Sequence, residues 1–325
     1  MTSGQIAILV DHPIYHPIFI DAYRGNFSAD QLRAGSVGAT IAYALLLQKI
    51  SSEIVLVDIV EETARGQVLD LSDAGFVTSA RIRQGNFQEA GQCDIVIVTA
   101  GAKQKRNETR VELIERNYNI LSSVISKMKP LNPNIILLIV ANPVDVLTYI
   151  AQKLSGLPKN QVFGSGTFLD SARLRLELAN ILKVAENAIH AYVLGEHGDS
   201  QFVAWSAAHV GGKSLLDFPE MKAVDKENLA KEIARKAYEI INLKGSTYYG
   251  IAGCVSSLVQ TIAFDQRHIR PLSVYVEEFQ CVLSMPVVLG SSGVERIIDI
   301  YLSADEKARL QKSAAELSAI CKKYA

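Results

Sequence analysis

The sequence predicts an α/β fold, in which a doubly wound parallel sheet is followed by a C-terminal α+β domain. In the first half of the chain, four short runs of β-branched and other apolar residues alternate with helical stretches. Continuous apolar runs of this length are typical of parallel strands that are covered on both faces. The repeated strand–helix–strand order implies right-handed crossovers within one sheet. After about residue 163 the alternation stops.

The elements of the first half follow from these runs. The predicted strands are residues 6–10 (IAILV), 53–59 (EIVLVDI), 94–99 (DIVIVT) and 134–140 (NIILLIV). The helical periodicity predicts helices at residues 37–49, 61–71 and 111–128. We assign residues 1–165 to this first domain.

The pattern of the second half is typical of an α+β domain, which we assign to residues 166–325. The predicted elements are a long helix at 169–182, a short strand at 190–194 that ends in GEHGD, a helix at 229–243 that ends at Lys244-Gly245, an antiparallel pair at 273–276 and 282–289, and an amphipathic helix at 304–323.

The composition excludes several classes of protein. With 49% hydrophobic and 21% charged residues, the 325-residue chain is not mainly disordered. With a net charge of −1, the chain has no overall excess of positive charge with which to bind nucleic acid or an anionic membrane. The four cysteines are far apart and predict neither a metal site nor a disulfide scaffold. Without a membrane-length apolar run or a signal-peptide pattern, we expect a cytoplasmic protein.

Glycines and an acidic residue form most of a dinucleotide-binding fingerprint. Gly35 and Gly38 open a predicted helix in the sequence AGSVG. Asp58 ends the next strand, about 20 residues further on. Glycines let the backbone approach a pyrophosphate at a helix N-terminus, and the acid holds the ribose hydroxyls, so Asp favours NAD over NADP. Arg33 stands where the fingerprint has its first glycine.

Residues 11–33 separate the predicted first strand from these glycines. Such a connection usually takes about 2–6 residues, so this segment is interpreted as an insertion. We expect it to weaken NADH binding, because Arg33 does not readily adopt a conformation reserved for glycine. A retained intron, a mistaken gene model or an unusual splice form would explain the insertion, and sequencing of the transcript would test this.

His197 lies between glycines in GEHGD, at the end of a predicted strand. Histidine is the natural group for exchanging a proton near neutral pH, and it needs a carboxylate to orient it. Asp170 and Arg173 fall on one side of a predicted helix, so that one could orient His197 and the other could bind a substrate carboxylate. In isolation, this pair would be interpreted as an ordinary surface ion pair.

Three other segments follow predicted strands or helices at positions where side chains can enter a cleft. The charged loop 103–110 follows a strand end and could act as a lid that brings Arg110 to a carbonyl oxygen. Asn142 ends the fourth strand and can present a side-chain amide. Thr247 follows the helix end at Gly245 and could add a hydroxyl.

Taken together, these motifs resemble the NAD-dependent L-lactate/malate dehydrogenase family. In family order they are AGSVG, VDI, VTAGAKQ, ERN, VANPVD, GSGTFLDSARLR, LGEHGDS and KGSTYYGIA. The resemblance covers residues 6–10 and then residues 34 to about 315. It implies a Rossmann-type NAD-binding domain, a C-terminal catalytic domain, NAD as the cofactor and a homo-oligomer, specifically a tetramer.

The resemblance also implies roles for individual residues. His197 would be the proton donor and acceptor, Asp170 would hold its ring, and Arg110 would polarise the substrate carbonyl. Arg173 would bind the substrate carboxylate with both arms of its guanidinium. The positions that complete the substrate site are Gln104, Asn142, which bonds the reacting oxygen, and Thr247, which lines the pocket. The positions that would contact NAD are Gly35, Val37, Gly38, Asp58, Thr99, Gly101, Ala102, Val140, Asn142 and Ile251, the last against the nicotinamide ring.

Gln104 matches the position that selects the substrate in this family. Malate dehydrogenases of the family carry Arg there, and Gln cannot form that ion pair, so pyruvate and L-lactate are the expected substrates. Arg175 and His190 match positions where some bacterial members bind fructose 1,6-bisphosphate, so they are candidate allosteric residues. Asn107 stands where the family lid usually has glycine.

Two other functions are compatible with the sequence. One is a dehydrogenase acting on malate or another 2-hydroxy acid. The other is a dehydrogenase-like protein that has lost cofactor binding because of the insertion and acts as a binding or assembly partner.

Overall fold

The computed structural model describes residues 18–21, 36–78, 80–102 and 109–324. Strands and helices are numbered separately in chain order. The strands are β1 (Ile18–Asp21), β2 (Glu53–Val57), β3 (Arg81–Gln84), β4 (Ile95–Val98), β5 (Ile136–Ile139), β6 (Val162–Gly164), β7 (Ile189–His190), β8 (Val193–Leu194), β9 (Phe202–Val203), β10 (His209–Val210), β11 (Lys213–Ser214), β12 (His268–Val276), β13 (Cys281–Gly290) and β14 (Gly293–Ile297). The helices are α1 (Ser36–Gln48), α2 (Glu61–Asp73), α3 (Phe87–Ala90), α4 (Arg110–Met128), α5 (Val144–Ser155), α6 (Phe168–Leu182), α7 (Lys226–Lys244), α8 (Tyr249–Ala263) and α9 (Ala304–Cys321).

Most of the described strands form one sheet, in the order β14-β13-β12-β6-β5-β4-β1-β2-β3. The six strands from β6 to β3 are mutually parallel. Their order reverses between β1 and β4, which is the switch point of a doubly wound fold and the usual place for a ligand. The predicted α/β fold class is therefore confirmed.

The middle of this sheet is buried on both faces. Every residue of β4 and β5 is buried, which accounts for their uninterrupted apolar sequences. α1 buries Ile41, Ala42, Leu45 and Leu46, at the spacing of one helical face. α5, which was not among the predicted helices, is buried throughout its first nine residues.

The first strand of the sheet is not the predicted one. β1 lies between β2 and β4, with Ile18 opposite Ile54 on one side and Ile95 on the other. The prediction placed this strand at residues 6–10, which lie outside the described residues, and treated residues 18–21 as part of the insertion. IAILV and IFID are both short apolar runs, and hydrophobic periodicity cannot choose between them.

The C-terminal strands extend the same sheet rather than forming a separate one. Ser273 of β12 pairs in antiparallel fashion with Gly164 of β6, and β12, β13 and β14 continue as a meander. The predicted antiparallel pair at 273–276 and 282–289 is therefore present, but it is longer and joins the parallel strands. The predicted strand at 190–194 is divided between β7 and β8, which belong to two different small sheets.

Two other features bear on the expectations from composition. All four cysteines are buried free thiols. Among the described residues, no helix is both long and apolar enough to cross a membrane.

Candidate active site

His197 and Asp170 form a close pair although 27 residues separate them along the chain. His197 Nδ1 and Asp170 Oδ2 are 2.8 Å apart. The Asp170 side chain is almost fully buried, whereas 30% of the His197 side chain remains exposed. Because the carboxylate engages Nδ1, the proton on this nitrogen points to Asp170, and Nε2 remains for exchange with another molecule.

Thr167 and Ser171 hold β8 against the start of α6. The Thr167 hydroxyl donates a hydrogen bond to the Val193 carbonyl at 2.5 Å, and the Val193 N–H donates to Ser171 Oγ at 2.8 Å. Both bonds are buried. Asp170 lies between these two residues in the sequence, and His197 follows β8, so the two bonds fix the distance between acid and base.

The electrostatic environment favours the charged form of both partners. Burial alone would lower the pKa of His197, but the charge and hydrogen bond of Asp170 raise it above its usual value. Burial alone would raise the pKa of Asp170, but His197 and Arg173 lower it below its usual value. The arrangement therefore favours a protonated His197 beside an ionised Asp170.

Arg173 lies on the other side of Asp170. Its Nη1 is 3.4 Å from Asp170 Oδ1, and only 10% of its side chain is exposed. The predicted i,i+3 pair thus exists, but it is buried and shares its carboxylate with His197 rather than lying on the surface. A guanidinium in this position can bind a carboxylate with two parallel hydrogen bonds.

Asp58 lies immediately after β2, at the carboxyl edge of the sheet next to β1. It is 5% exposed, and its Oδ1 accepts a hydrogen bond from the Val60 N–H at 2.9 Å. At the neighbouring edge, α1 begins at Ser36 and has no acidic residue in its first turn, where Val37 and Gly38 lie. The Asp58 carboxylate can accept hydrogen bonds from ribose hydroxyls, and the N-terminus of α1, which has no acidic residue, can bind a pyrophosphate. Together they fit a dinucleotide.

Asn117 joins two loops of the candidate site, although it was not among the predicted site residues. It is 1% exposed, and its Oδ1 accepts a hydrogen bond from the Ala102 N–H at 2.7 Å. Its Nδ2 donates to the Asn142 carbonyl at 2.9 Å. The side chain therefore ties together the loops that follow β4 and β5. The motif ERN contains this residue, but sequence spacing gave no indication of its partners.

Other predicted positions lie on these two loops, between α7 and α8, and at the start of α8. Thr99, Gly101 and Ala102 follow β4, and Val140 follows β5. A Cβ at Gly101 would lie 3.0 Å from the Ala141 side chain, so the two loops pack closely there. Thr247 lies between α7 and α8, and Ile251 in the first turn of α8 packs against the main core.

The lid segment is only partly described. Gln104, Asn107 and the rest of residues 103–108 lie outside the described residues, as do Arg33 and Gly35. Arg110 is the first residue of α4, and Thr109 caps that helix: the Thr109 hydroxyl accepts from the Glu112 N–H, and the Glu112 carboxylate accepts from the Thr109 N–H. This capping box fixes where the helix begins.

Arg175 and His190 are placed in different environments. Burial lowers the pKa of Arg175, and its guanidinium carbon lies 5.9 Å from the centre of the Phe168 ring. His190 is exposed in β7, opposite His209 of β10. Their proposed binding of a sugar bisphosphate stays a prediction.

Comparison with known proteins gives consistent matches over nearly the whole chain. Residues 33–164 match the family model for the NAD-binding domain of lactate/malate dehydrogenase, and residues 167–325 match that for the α/β C-terminal domain. The first match begins at Arg33, at the end of the segment interpreted as an insertion.

Individual relatives match over most of their own length. L-lactate dehydrogenase A of Rhizopus oryzae is 50% identical over 287 residues, which is 88% of this chain and 90% of that protein. An L-lactate dehydrogenase of Clostridium botulinum (strain Loch Maree) is 42% identical over 304 residues, or 90% and 96% of the two chains. The ligand-bound crystal structure of the minor L-lactate dehydrogenase from Enterococcus mundtii superposes with a TM-score of 0.86 at 34% identity, covering 95% of this chain and 98% of that one.

Proposed function

The chain belongs to the lactate/malate dehydrogenase family, and from this membership and the His197–Asp170 pair we propose that it is an NAD-dependent L-lactate dehydrogenase. It interconverts pyruvate and L-lactate. The observation that carries the assignment is the buried Asp170 carboxylate, 2.8 Å from His197 Nδ1, because it supplies an oriented imidazole with a raised pKa. Such a group can protonate a carbonyl oxygen as the carbonyl is reduced.

The proton is handled by His197. In the direction of pyruvate reduction, Nε2–H donates its proton to the substrate oxygen, and Asp170 stabilises the charged ring before that step. In the direction of lactate oxidation, neutral Nε2 accepts the hydroxyl proton. NAD, when bound, supplies or receives the hydride. Because the pKa of His197 is raised, the protonated form that reduces pyruvate persists to higher pH than it would for an unperturbed imidazole, and the neutral form that oxidises lactate predominates only above that pKa.

The other predicted residues bind and polarise the substrate. Arg173 pairs with the substrate carboxylate, which fixes the orientation of the carbonyl relative to His197. Arg110 and Asn142 donate hydrogen bonds to the reacting oxygen, where negative charge develops. Thr247 lines the pocket. The Asn117 bridge supports this site by holding Asn142 and Ala102 at a fixed separation.

NAD would lie across the carboxyl edge of the sheet. Asp58 would bind the ribose hydroxyls, and Gly35, Val37 and Gly38 would face the pyrophosphate. Thr99, Gly101, Ala102 and Val140 would line the cleft, with Ile251 against the nicotinamide ring. The position of Asp58 beside β1, next to a helix start without acidic side chains, supports this arrangement.

We further propose that the protein is a cytoplasmic homo-oligomer, specifically a tetramer. Large apolar side chains that remain exposed on a single chain support association: Leu243 is 80% exposed, Tyr249 69% and Leu69 60%. Sedimentation velocity would measure the assembly, and a monomer at micromolar concentration would contradict it.

The direct test is NADH oxidation with pyruvate and with oxaloacetate. We expect turnover with each substrate when it is assayed separately. The kcat/KM for pyruvate should exceed that for oxaloacetate by about two orders of magnitude, because burying the unpaired second carboxylate of oxaloacetate in the pocket is costly. A preference for oxaloacetate would replace the lactate assignment with malate. An absence of turnover with either would favour the alternative of a chain that has lost cofactor binding.

Gln104→Arg tests which residue sets this preference. The new guanidinium would pair with the second carboxylate of oxaloacetate, so we expect kcat/KM for oxaloacetate to rise and that for pyruvate to fall. The ratio of the two should change by about a hundredfold or more. Gln104→Lys is the matched control, because it adds the charge without the two-armed geometry, and it should change the ratio less. An unchanged ratio in Gln104→Arg would show that specificity is set elsewhere.

A further inference from the structure

Asp145 is a buried carboxylate that contacts the backbone of His197. It lies in the first turn of α5 and is 2% exposed. Its Oδ2 accepts a hydrogen bond from the His197 N–H at 2.7 Å, and its Oδ1 accepts one from the Ser273 hydroxyl at 2.6 Å. A carboxylate this deeply buried is retained in ionised form only where hydrogen bonds and charges compensate its desolvation. The His197 N–H, the Ser273 hydroxyl and the N-terminus of α5 all favour the ionised form of Asp145.

The two residues before His197 are anchored in the same way. The Gly195 N–H donates to the Ser284 carbonyl at 3.1 Å, and the Glu196 N–H donates to Ser313 Oγ at 2.8 Å. Three consecutive backbone amides are thus bound by three different elements, β13, α9 and α5. Only the acceptor at His197 is a carboxylate, so the charge is placed at the residue whose side chain must be protonated.

We propose that Asp145 is a positioning residue for the dehydrogenase reaction, which fixes the His197 backbone and uses its negative charge to favour the protonated imidazole. The inference rests on the proposed function and adds to it a second carboxylate, on a different helix from Asp170. Asp170 orients the ring through Nδ1. Asp145 acts through the main chain and through space, and it touches neither substrate nor NAD in this scheme.

Burial and the charged groups around His197 shift its pKa in different directions. Burial lowers its pKa, Asp170 raises it by charge and by hydrogen bond, Asp145 raises it further by charge, and Arg173 lowers it. Asp170 and Arg173 belong to α6, and Asp145 belongs to α5. Removal of the Asp145 charge should therefore lower the pKa of His197 while Asp170 still holds the ring.

Asp145→Asn is the direct test. The amide can accept from the His197 N–H through its oxygen and donate to Ser273 Oγ through its nitrogen, so the contacts persist while the charge is lost. We expect the titration of His197 to move to lower pH by about half to one unit. The alkaline limb of pyruvate reduction should move by the same amount, giving about a three- to tenfold loss of kcat/KM on that limb.

The readout that does not depend on turnover is NMR of 13C-labelled histidine in the full chain, with the His197 signal identified from a His197→Gln variant. Six histidines make this assignment tractable. If the wild-type chain does not reduce pyruvate, the proposed function fails, but the NMR shift still tests Asp145. An unchanged His197 titration in folded Asp145→Asn overturns the proposal.

Ser273→Ala is the matched control, since it removes a hydrogen bond from the same carboxylate and leaves the charge. We expect the alkaline limb to stay within about 0.3 unit of wild type. A shift in Ser273→Ala equal to that in Asp145→Asn would indicate a structural effect and contradict the charge role. If Asp145→Asn does not fold, Asp145→Glu retains the charge, and a limb displaced by a full unit in that variant would likewise overturn the proposal.

Discussion

His197→Gln is expected to lower kcat for pyruvate reduction by about three orders of magnitude. Glutamine can still donate a hydrogen bond, but it cannot exchange a proton at neutral pH, and the buried Asp170 would keep only Arg173 of its two cationic partners. Steady-state kinetics with saturating NADH would measure the loss. The Kd of NADH should change by less than about twofold, because the proposed mechanism places His197 beside the substrate rather than the cofactor.

His209→Gln is the matched control for this substitution. His209 is also partly buried in a short strand of the C-terminal region, and its Nδ1 lies 2.8 Å from the Ala207 carbonyl. It has no carboxylate partner in the described part of the chain comparable to Asp170. We expect its kcat to stay within about twofold of wild type. A loss in His197→Gln no larger than that in His209→Gln would remove His197 from the chemistry.

Replacing residues 11–33 with a single glycine is expected to tighten NADH binding by about tenfold or more, or about 1.4 kcal/mol. The replacement restores the first fingerprint glycine beside Gly35 and Gly38. It also removes β1 (Ile18–Asp21), which lies between β2 and β4 in the full chain. The same position in the sheet then becomes available to residues 6–10. Titration of NADH fluorescence against both chains would measure the two Kd values.

Arg33→Gly in the full-length chain separates the two effects of this change. It restores the glycine but leaves the long connection between β1 and α1 in place. We expect it to recover only part of the affinity, because a long connection carries an ordering cost that a short turn does not. Equal Kd values for the full-length and shortened chains would show that the insertion leaves the cofactor site intact. The shortened chain must also retain its thermal unfolding transition, since a loss of β1 without replacement would unfold the sheet.

The elements with the strongest local signals were predictable from sequence. β2, β4 and β5 are nearly continuous apolar runs because both of their faces are covered. Their amino-acid composition therefore predicts that they are buried. α7 ends at Gly245 in a left-handed conformation with φ 83°, at the Lys244–Gly245 boundary that the sequence indicated. The ordered set of motifs identified the family.

Other features depended on distances that no local pattern encodes. The Asp145–His197 contact joins residues that are 52 positions apart. The Asn117 bridge depends on how the loops after β4 and β5 pack against each other. Sequence spacing therefore suggested candidates for chemistry without indicating which of them meet.

The insertion gives the clearest division between the two kinds of information. By itself, the sequence determined that this chain carries the residues of a dehydrogenase, and that residues 11–33 interrupt the cofactor fingerprint. Only the tertiary structure decided which apolar run occupies the strand position between β2 and β4. Residues 6–10 and residues 18–21 are both short apolar runs, so the hydrophobic pattern fits either of them. The choice between them depends on backbone pairing with strands that are distant in sequence.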